Sequence, residues 1–140
     1  MTPGDKELLL KDLCARLPYG VRVLCLRDFN HTCYNLKMID IEDNEVYLTI
    51  DELNINRYAE IETIKPYLFP LSSMTEEQKR EYNSLRNFVP TYHYEFGDIV
   101  EDTELYDNFE SIDYLIANHL DYRGLIPMGL AIDATGLNIY

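Results

Sequence analysis

The stretch Cys33-Tyr34-Asn35-Leu36-Lys37-Met38-Ile39-Asp40-Ile41-Glu42-Asp43-Asn44-Glu45-Val46-Tyr47-Leu48-Thr49-Ile50 decides the fold class. Two β-forming runs, Cys33 to Ile41 and Glu45 to Ile50, flank Glu42-Asp43-Asn44. Asp and Asn tolerate the left-handed backbone and bond their own main chain, so these three residues read as a turn. The two runs then pair as an antiparallel hairpin. Val46, Leu48 and Ile50 fall on one face of the second run, and Tyr47 and Thr49 on the other. A sheet with one face turned to a core follows.

Working outward, Val21 to Leu26 reads as a further strand, with Cys25 alternating with Val21 and Val23 and therefore expected to be buried. Before it, Leu9, Leu10, Leu13 and Leu17 recur at helical spacing behind Asp5, the expected N-cap, and Pro18-Tyr19-Gly20 ends that helix. Downstream, Ala59 to Ile64 is a candidate fourth strand. Lys65-Pro66-Tyr67-Leu68-Phe69-Pro70 is expected to be an extended apolar connection against the core, because proline disfavours helix at the residue before it. Thr75-Glu76-Glu77-Gln78 is a capping box opening a helix to about Asn87, with Tyr82 and Leu85 inward. Pro90 to Glu104 reads as irregular, with a short strand at Tyr92–Phe96. A last helix, capped by Asp107 or Asn108, runs through His119 on Phe109, Ile112, Leu115 and Ile116. Strands first and helices later indicate an α+β fold: one domain over residues 1–140, with a three- or four-stranded antiparallel sheet and about three helices.

The chain is acidic. Its 140 residues hold 25 Asp and Glu against 12 Lys and Arg, a formal charge of −13. Residues 81–140 carry 11 of the acids, only Arg86 and Arg123 among the bases, and seven of the 12 tyrosines. This balance opposes a broad hold on a phosphate backbone, which needs Lys and Arg, and opposes docking on an anionic membrane. Direct nucleic-acid binding and membrane association are therefore not expected. With no apolar run of 18 residues and no basic-then-apolar opening, a cytoplasmic setting is expected. The three cysteines, Cys14, Cys25 and Cys33, fit no metal or disulfide spacing and read as reduced thiols.

Chemical motifs are sparse. His31-x-Cys33 supplies two ligands where a structural zinc site needs four. No Gly-x-Gly-x-x-Gly or Walker loop is present. No cofactor is expected. His93 and Glu95 share a face if Tyr92–Phe96 is a strand, an arrangement that tunes a histidine as a general base but brings no evident nucleophile or oxyanion hole. The most distinctive feature is the tyrosine-and-carboxylate stretch. Tyrosine offers large contact area at low entropy cost, and acidic groups complement a basic partner. Tyr92, Tyr94, Glu95, Asp98, Glu101, Asp102, Tyr106 and Tyr114 are the candidate binding residues.

The segments Ile64–Glu77 and His119–Ala131, together with Leu8–Val23, resemble those of a family of short uncharacterised proteins of gut Bacteroidales and their phages. The resemblance spans most of the chain and brings no known activity or site residue. It implies a bacterial cytoplasmic setting and a phage-related accessory role. These features admit three functions. The first is a non-enzymatic acidic protein that binds a basic protein partner, as a phage factor inhibiting a host protein. The second is a small nucleotide-binding protein or enzyme using His93 and Glu95, and the third a structural or assembly component of a phage.

Overall fold

A computed structural model describes residues 1–30 and 32–140. His31, and with it the His31-x-Cys33 pair, lies outside the described residues. The fold is α+β, and the chain divides into two compact units, Met1–Ser73 with Ile116–Tyr140, and Met74–Leu115.

The first unit opens with helix α1 (Pro3–Arg16). Thr2, rather than Asp5, is its N-cap: the Thr2 hydroxyl accepts from the Asp5 N–H while the Asp5 carboxylate reaches back to the Thr2 N–H. Pro3 at the first helical position costs nothing there, since its missing N–H would have had no partner. Gly20 then takes φ 70° and turns the chain into the sheet.

That sheet has six strands, more than the three or four expected, in the order β4-β3-β2-β1-β5-β8. They are β1 (Arg22–Cys25), β2 (Cys33–Asp40), β3 (Glu45–Ile50), β4 (Ile55–Glu60), β5 (Ile64–Leu68) and β8 (Ile132–Asp133). The β2–β3 hairpin forms as its pattern dictates, with Asn44 at φ 58° in the turn and a register shift between Leu36 and Met38. Ala59–Ile64 is not one strand; it is the end of β4, a single 3-10 turn (Ile61–Thr63) and the start of β5. The expected extended connection is β5 itself, and it lies beside β1 with Pro66 opposite Val23. The Leu26 N–H donates to Thr63 O at 2.7 Å. Alternation from that bond puts Pro66 at a non-hydrogen-bonded pair, where its missing N–H leaves the ladder with β1 intact.

Alternation gives the sheet two cores. On one face Val21, Val23, Cys25, Leu36, Val46, Leu48, Ile64 and Leu68 pack with Leu9 and Leu13 of α1 and with Leu125 and Leu130. On the other, Leu24, Tyr67 and Ala134 gather Phe69, Ile132 and Ile139. Within the first core sits a charged cluster. Asp12 and Arg16 are both fully buried, and Arg16 Nε donates to Asp12 at 2.7 Å. Arg16 Nη2 donates to Leu120 O at 2.7 Å, and Arg123 stands 3.3 Å from the other Asp12 oxygen. Nearby, the His119 ring stacks on Tyr140 at 3.7 Å, and the Tyr140 hydroxyl donates to Tyr67 O and accepts from Arg22 N. Burial, then the positive charges of Arg16 and Arg22, hold the His119 pKa down to about 4.

Two outcomes follow. Asp12→Ala strands two guanidinium groups, one fully buried, and should cost roughly 3–5 kcal/mol in urea unfolding. Asp12→Leu combined with Arg16→Met should cost clearly less, because no fully buried charge is left unpaired and only the part-exposed Arg123 loses its partner. His119 takes its proton in the unfolded chain near pH 6.5 but resists it in the native state until about pH 4. Stability should therefore fall as pH drops from about 6.5 to about 4, by roughly 2–3 kcal/mol from this residue. Thermal melts of His119→Asn across the same range should show a shallower slope than the wild type.

Candidate functional site

The second unit holds α2 (Glu76–Leu85), β6 (Asn87–Glu95), β7 (Asp98–Tyr106) and most of α3 (Phe109–Ala117), which returns the chain to the first unit. The expected capping box forms: the Thr75 hydroxyl accepts from Gln78 N, and the Gln78 amide oxygen accepts from Thr75 N. The segment expected to be irregular is instead a regular nine-pair antiparallel hairpin, from Asn87 opposite Tyr106 to Glu95 opposite Asp98.

Its base is tied tightly. Arg86 donates to Leu105 O at 2.8 Å, ion-pairs with Asp107 at 3.4 Å and lies over the Tyr82 ring. Tyr82 donates its hydroxyl to Asp107. Burial first, then that carboxylate, pushes the Tyr82 phenol up to about 12. Asn108 caps α3 by accepting from Ser111 N at 2.8 Å, and its amide donates to Leu85 O and Asn87 Oδ1. One side chain thus joins the end of α2, the start of β6 and the start of α3. Beside it a cleft of about 440 Å³ is lined by Asp107, Asn108, Phe109 and Ile112. The polar side chains lining it are already engaged in these contacts.

Seven of the eight expected binding residues lie on the hairpin, and the register sorts them. Directly opposed residues share a face, and alternate residues switch faces. Glu95, Asp98, Asp102 and Tyr106 fall on one face with Glu104 and His93. Tyr92, Tyr94 and Glu101 fall on the other, with Phe88, Pro90, Ile99 and Leu105. The carboxylates and tyrosines are therefore largely on opposite faces. Tyr114 is not on the hairpin at all: it sits on α3 and donates its hydroxyl to Glu81 of α2 at 2.7 Å. Burial, then Glu81, pushes it up to about 12.

Both hairpin faces are open. Phe88 is 64 % exposed, Tyr92 66 %, Tyr94 79 % and Ile99 66 %. Exposed apolar side chains aligned along one strip are the kind of feature found at interaction surfaces. Reading by residue type missed Phe88, Ile99 and Phe96. The signal was present as a period of two: Phe88, Pro90, Tyr92, Tyr94 and Phe96 occupy every second position. Charge is concentrated here too. Residues 74–115 hold eleven acids and three bases, net −8, while the remaining 14 acids and nine bases give −5. Residues 87–106 hold five acids and no Lys or Arg.

His93 and Glu95 do share a face, 3.7 Å apart, with both side chains about half exposed. They stand on open strand surface. Arg86 is seven residues before His93, about 23 Å along the strand direction, and is committed to Leu105 and Asp107 at the base. Among the described residues no group of three His, Cys, Asp or Glu side chains is placed to hold a metal ion. Cys14 is exposed, Cys25 is buried as expected, and burial pushes the part-buried Cys33 thiol up. No helix among the described residues is long and apolar enough to cross a membrane. No family model, curated protein or solved structure matches the chain.

Asn108→Ala removes the α3 cap and both ties to α2 and β6. It should cost about 1–2 kcal/mol, and amide exchange over Asn87–Tyr106 should accelerate while the β2–β3 hairpin is unaffected.

Proposed function

We propose that this chain is a non-enzymatic binding protein whose β6–β7 hairpin engages a protein partner with a basic surface. The observation that carries the reading is the hairpin itself, nine residue pairs long, open on both faces, aromatic on one and acidic on the other. A two-stranded ribbon buries too little to be stable on its own merits. A sequence that spends twenty residues on one, with large apolar side chains in water, is better accounted for by a surface that a partner covers. Five carboxylates with no Lys or Arg among them complement a basic surface and repel anionic lipid and nucleic acid. In keeping with what the resemblance to Bacteroidales and phage proteins implies, the encounter we propose is with a host protein in a bacterial cytoplasm, and it inhibits that protein. An enzymatic reading draws little support from His93 and Glu95, which face open solvent side by side.

The test is affinity capture from native-host lysate with the full chain, followed by titration of the purified partner. Replacing Glu95, Asp98, Asp102 and Glu104 with their amides should weaken binding at least about tenfold and flatten its salt dependence. A partner held equally well by this variant, or one with no basic surface, would overturn the reading.

A further inference from the structure

Resting on that reading, we propose that the hairpin binds as an inserted finger, with Phe96 at its tip seated in an apolar pocket of the basic protein partner. The turn between β6 and β7 has two residues, Phe96 at φ 52° and Gly97 at φ 85°. Two consecutive positive φ values define a type I′ turn, whose first position favours Asn, Asp or Gly. A bulky side chain there is an outlier.

The rest of the chain follows the ordinary rule. Of the five non-glycine residues at positive φ among the described residues, three are asparagines: Asn44, Asn54 and Asn138. His119 is compensated by its stack on Tyr140. Phe96 is 99 % exposed, so its ring gains no packing in return for the unfavourable backbone. Local strain without a local return is found where a residue serves a site rather than the fold. An exposed aromatic at a rigid tip is the kind of side chain that dominates an interface when it enters a desolvated pocket.

The outer edge of β6 bears on the mode of entry. By alternation from the closing pair Glu95–Asp98, Pro90 sits opposite Thr103 at a non-hydrogen-bonded position, so its nitrogen faces the outer edge of β6. With no N–H there, that edge is a poor template for an added strand. Engagement through the tip and the two faces uses neither that edge nor the outer edge of β7, which carries no proline. A cleft that admits this finger presents an apolar wall to Tyr92, Tyr94 and Ile99 and a basic wall to Glu95, Asp98 and Asp102.

The experiment places a photoreactive benzophenone side chain at position 96 of the full chain in native-host cells. Position 29 is the control, because Phe29 is equally exposed at 99 %. Crosslinking at 96 and not at 29 to a protein with a basic cleft is expected. Phe96→Asn should then bind that purified protein at least about tenfold more weakly, while melting at the same temperature as wild type or a few degrees higher. Phe96→Asn binding within twofold of wild type would overturn the finger and leave the charge-based reading standing. Lower melting of Phe96→Asn would also overturn it, since the ring would then serve folding. Crosslinking at 96 to lipid, or equal crosslinking from both positions, would overturn both.

Discussion

The first unit depends on one buried carboxylate. Asp12 lies inside the apolar face of α1, between Leu9 and Leu13, and holds Arg16 on one oxygen with Arg123 beside the other. Burying an ion pair carries a desolvation cost that its mutual attraction rarely exceeds. What this cluster supplies is position. Arg16 also donates to Leu120 O, 104 residues away in sequence, and the Arg16 and Arg123 guanidiniums lie over the Tyr122 ring. An apolar helix face fits a sheet in several registers; a guanidinium that must find Asp12 and Leu120 O fits in one. The return segment then falls into place. Asp121 accepts from the N–H groups of Leu125 and Ile126, and Phe69 bridges Leu120 in parallel.

The second unit is built on the opposite principle. Its hairpin owes its order to contacts at one end: Arg86 with Leu105 and Asp107, Asn108 with Leu85 and Asn87, and Tyr82 with Asp107. Charge is neutralised there, at the base, by Arg86. Toward the tip, Glu95, Asp98, Glu101, Asp102 and Glu104 have no Lys or Arg on either strand. The gradient from a tied, neutralised base to an open, anionic tip suits a presented surface and would be a poor design for a core element.

Legibility in the sequence tracked burial. The β2–β3 hairpin was readable because Val46 and Leu48 are buried and alternate with polar neighbours. Strand β4 was not, since Ala59 is its one buried residue and an edge strand leaves little apolar pattern. The Lys65–Pro70 stretch was legible as extended but not as a strand, and Pro66 fits β5 because the ladder with β1 needs no N–H from it. The N-cap of α1 was misplaced by three residues because Thr2 and Asp5 are both competent caps, and they act together. For the candidate site, composition pointed to a stretch that forms one hairpin, and seven of its eight candidate residues lie there. It missed the division into faces, because Pro90, Gly97 and the density of acids look like loop chemistry. The period-two run from Phe88 to Phe96 outweighs those signals once it is counted, since alternation over nine residues specifies a strand whichever face is wet.

The two hairpins in this chain differ in how well their turn residues suit them. Both use a left-handed residue in the connection: Asn44 between β2 and β3, Phe96 between β6 and β7. In the first, the turn residue suits the turn, one face is buried, and local preference and global fold agree. In the second, the turn residue opposes its backbone, both faces are wet, and most of the apolar side chains stay largely exposed. Natural sequences are locally consistent wherever folding alone decides. The places where consistency fails are where another demand operates. In this chain the failures coincide: an aromatic in a position for asparagine, an exposed apolar strip and an uncompensated block of carboxylates all lie within the twenty residues of β6 and β7. The proposed recognition of a basic surface with an apolar pocket would account for all three, whereas solubility would account for the carboxylates alone.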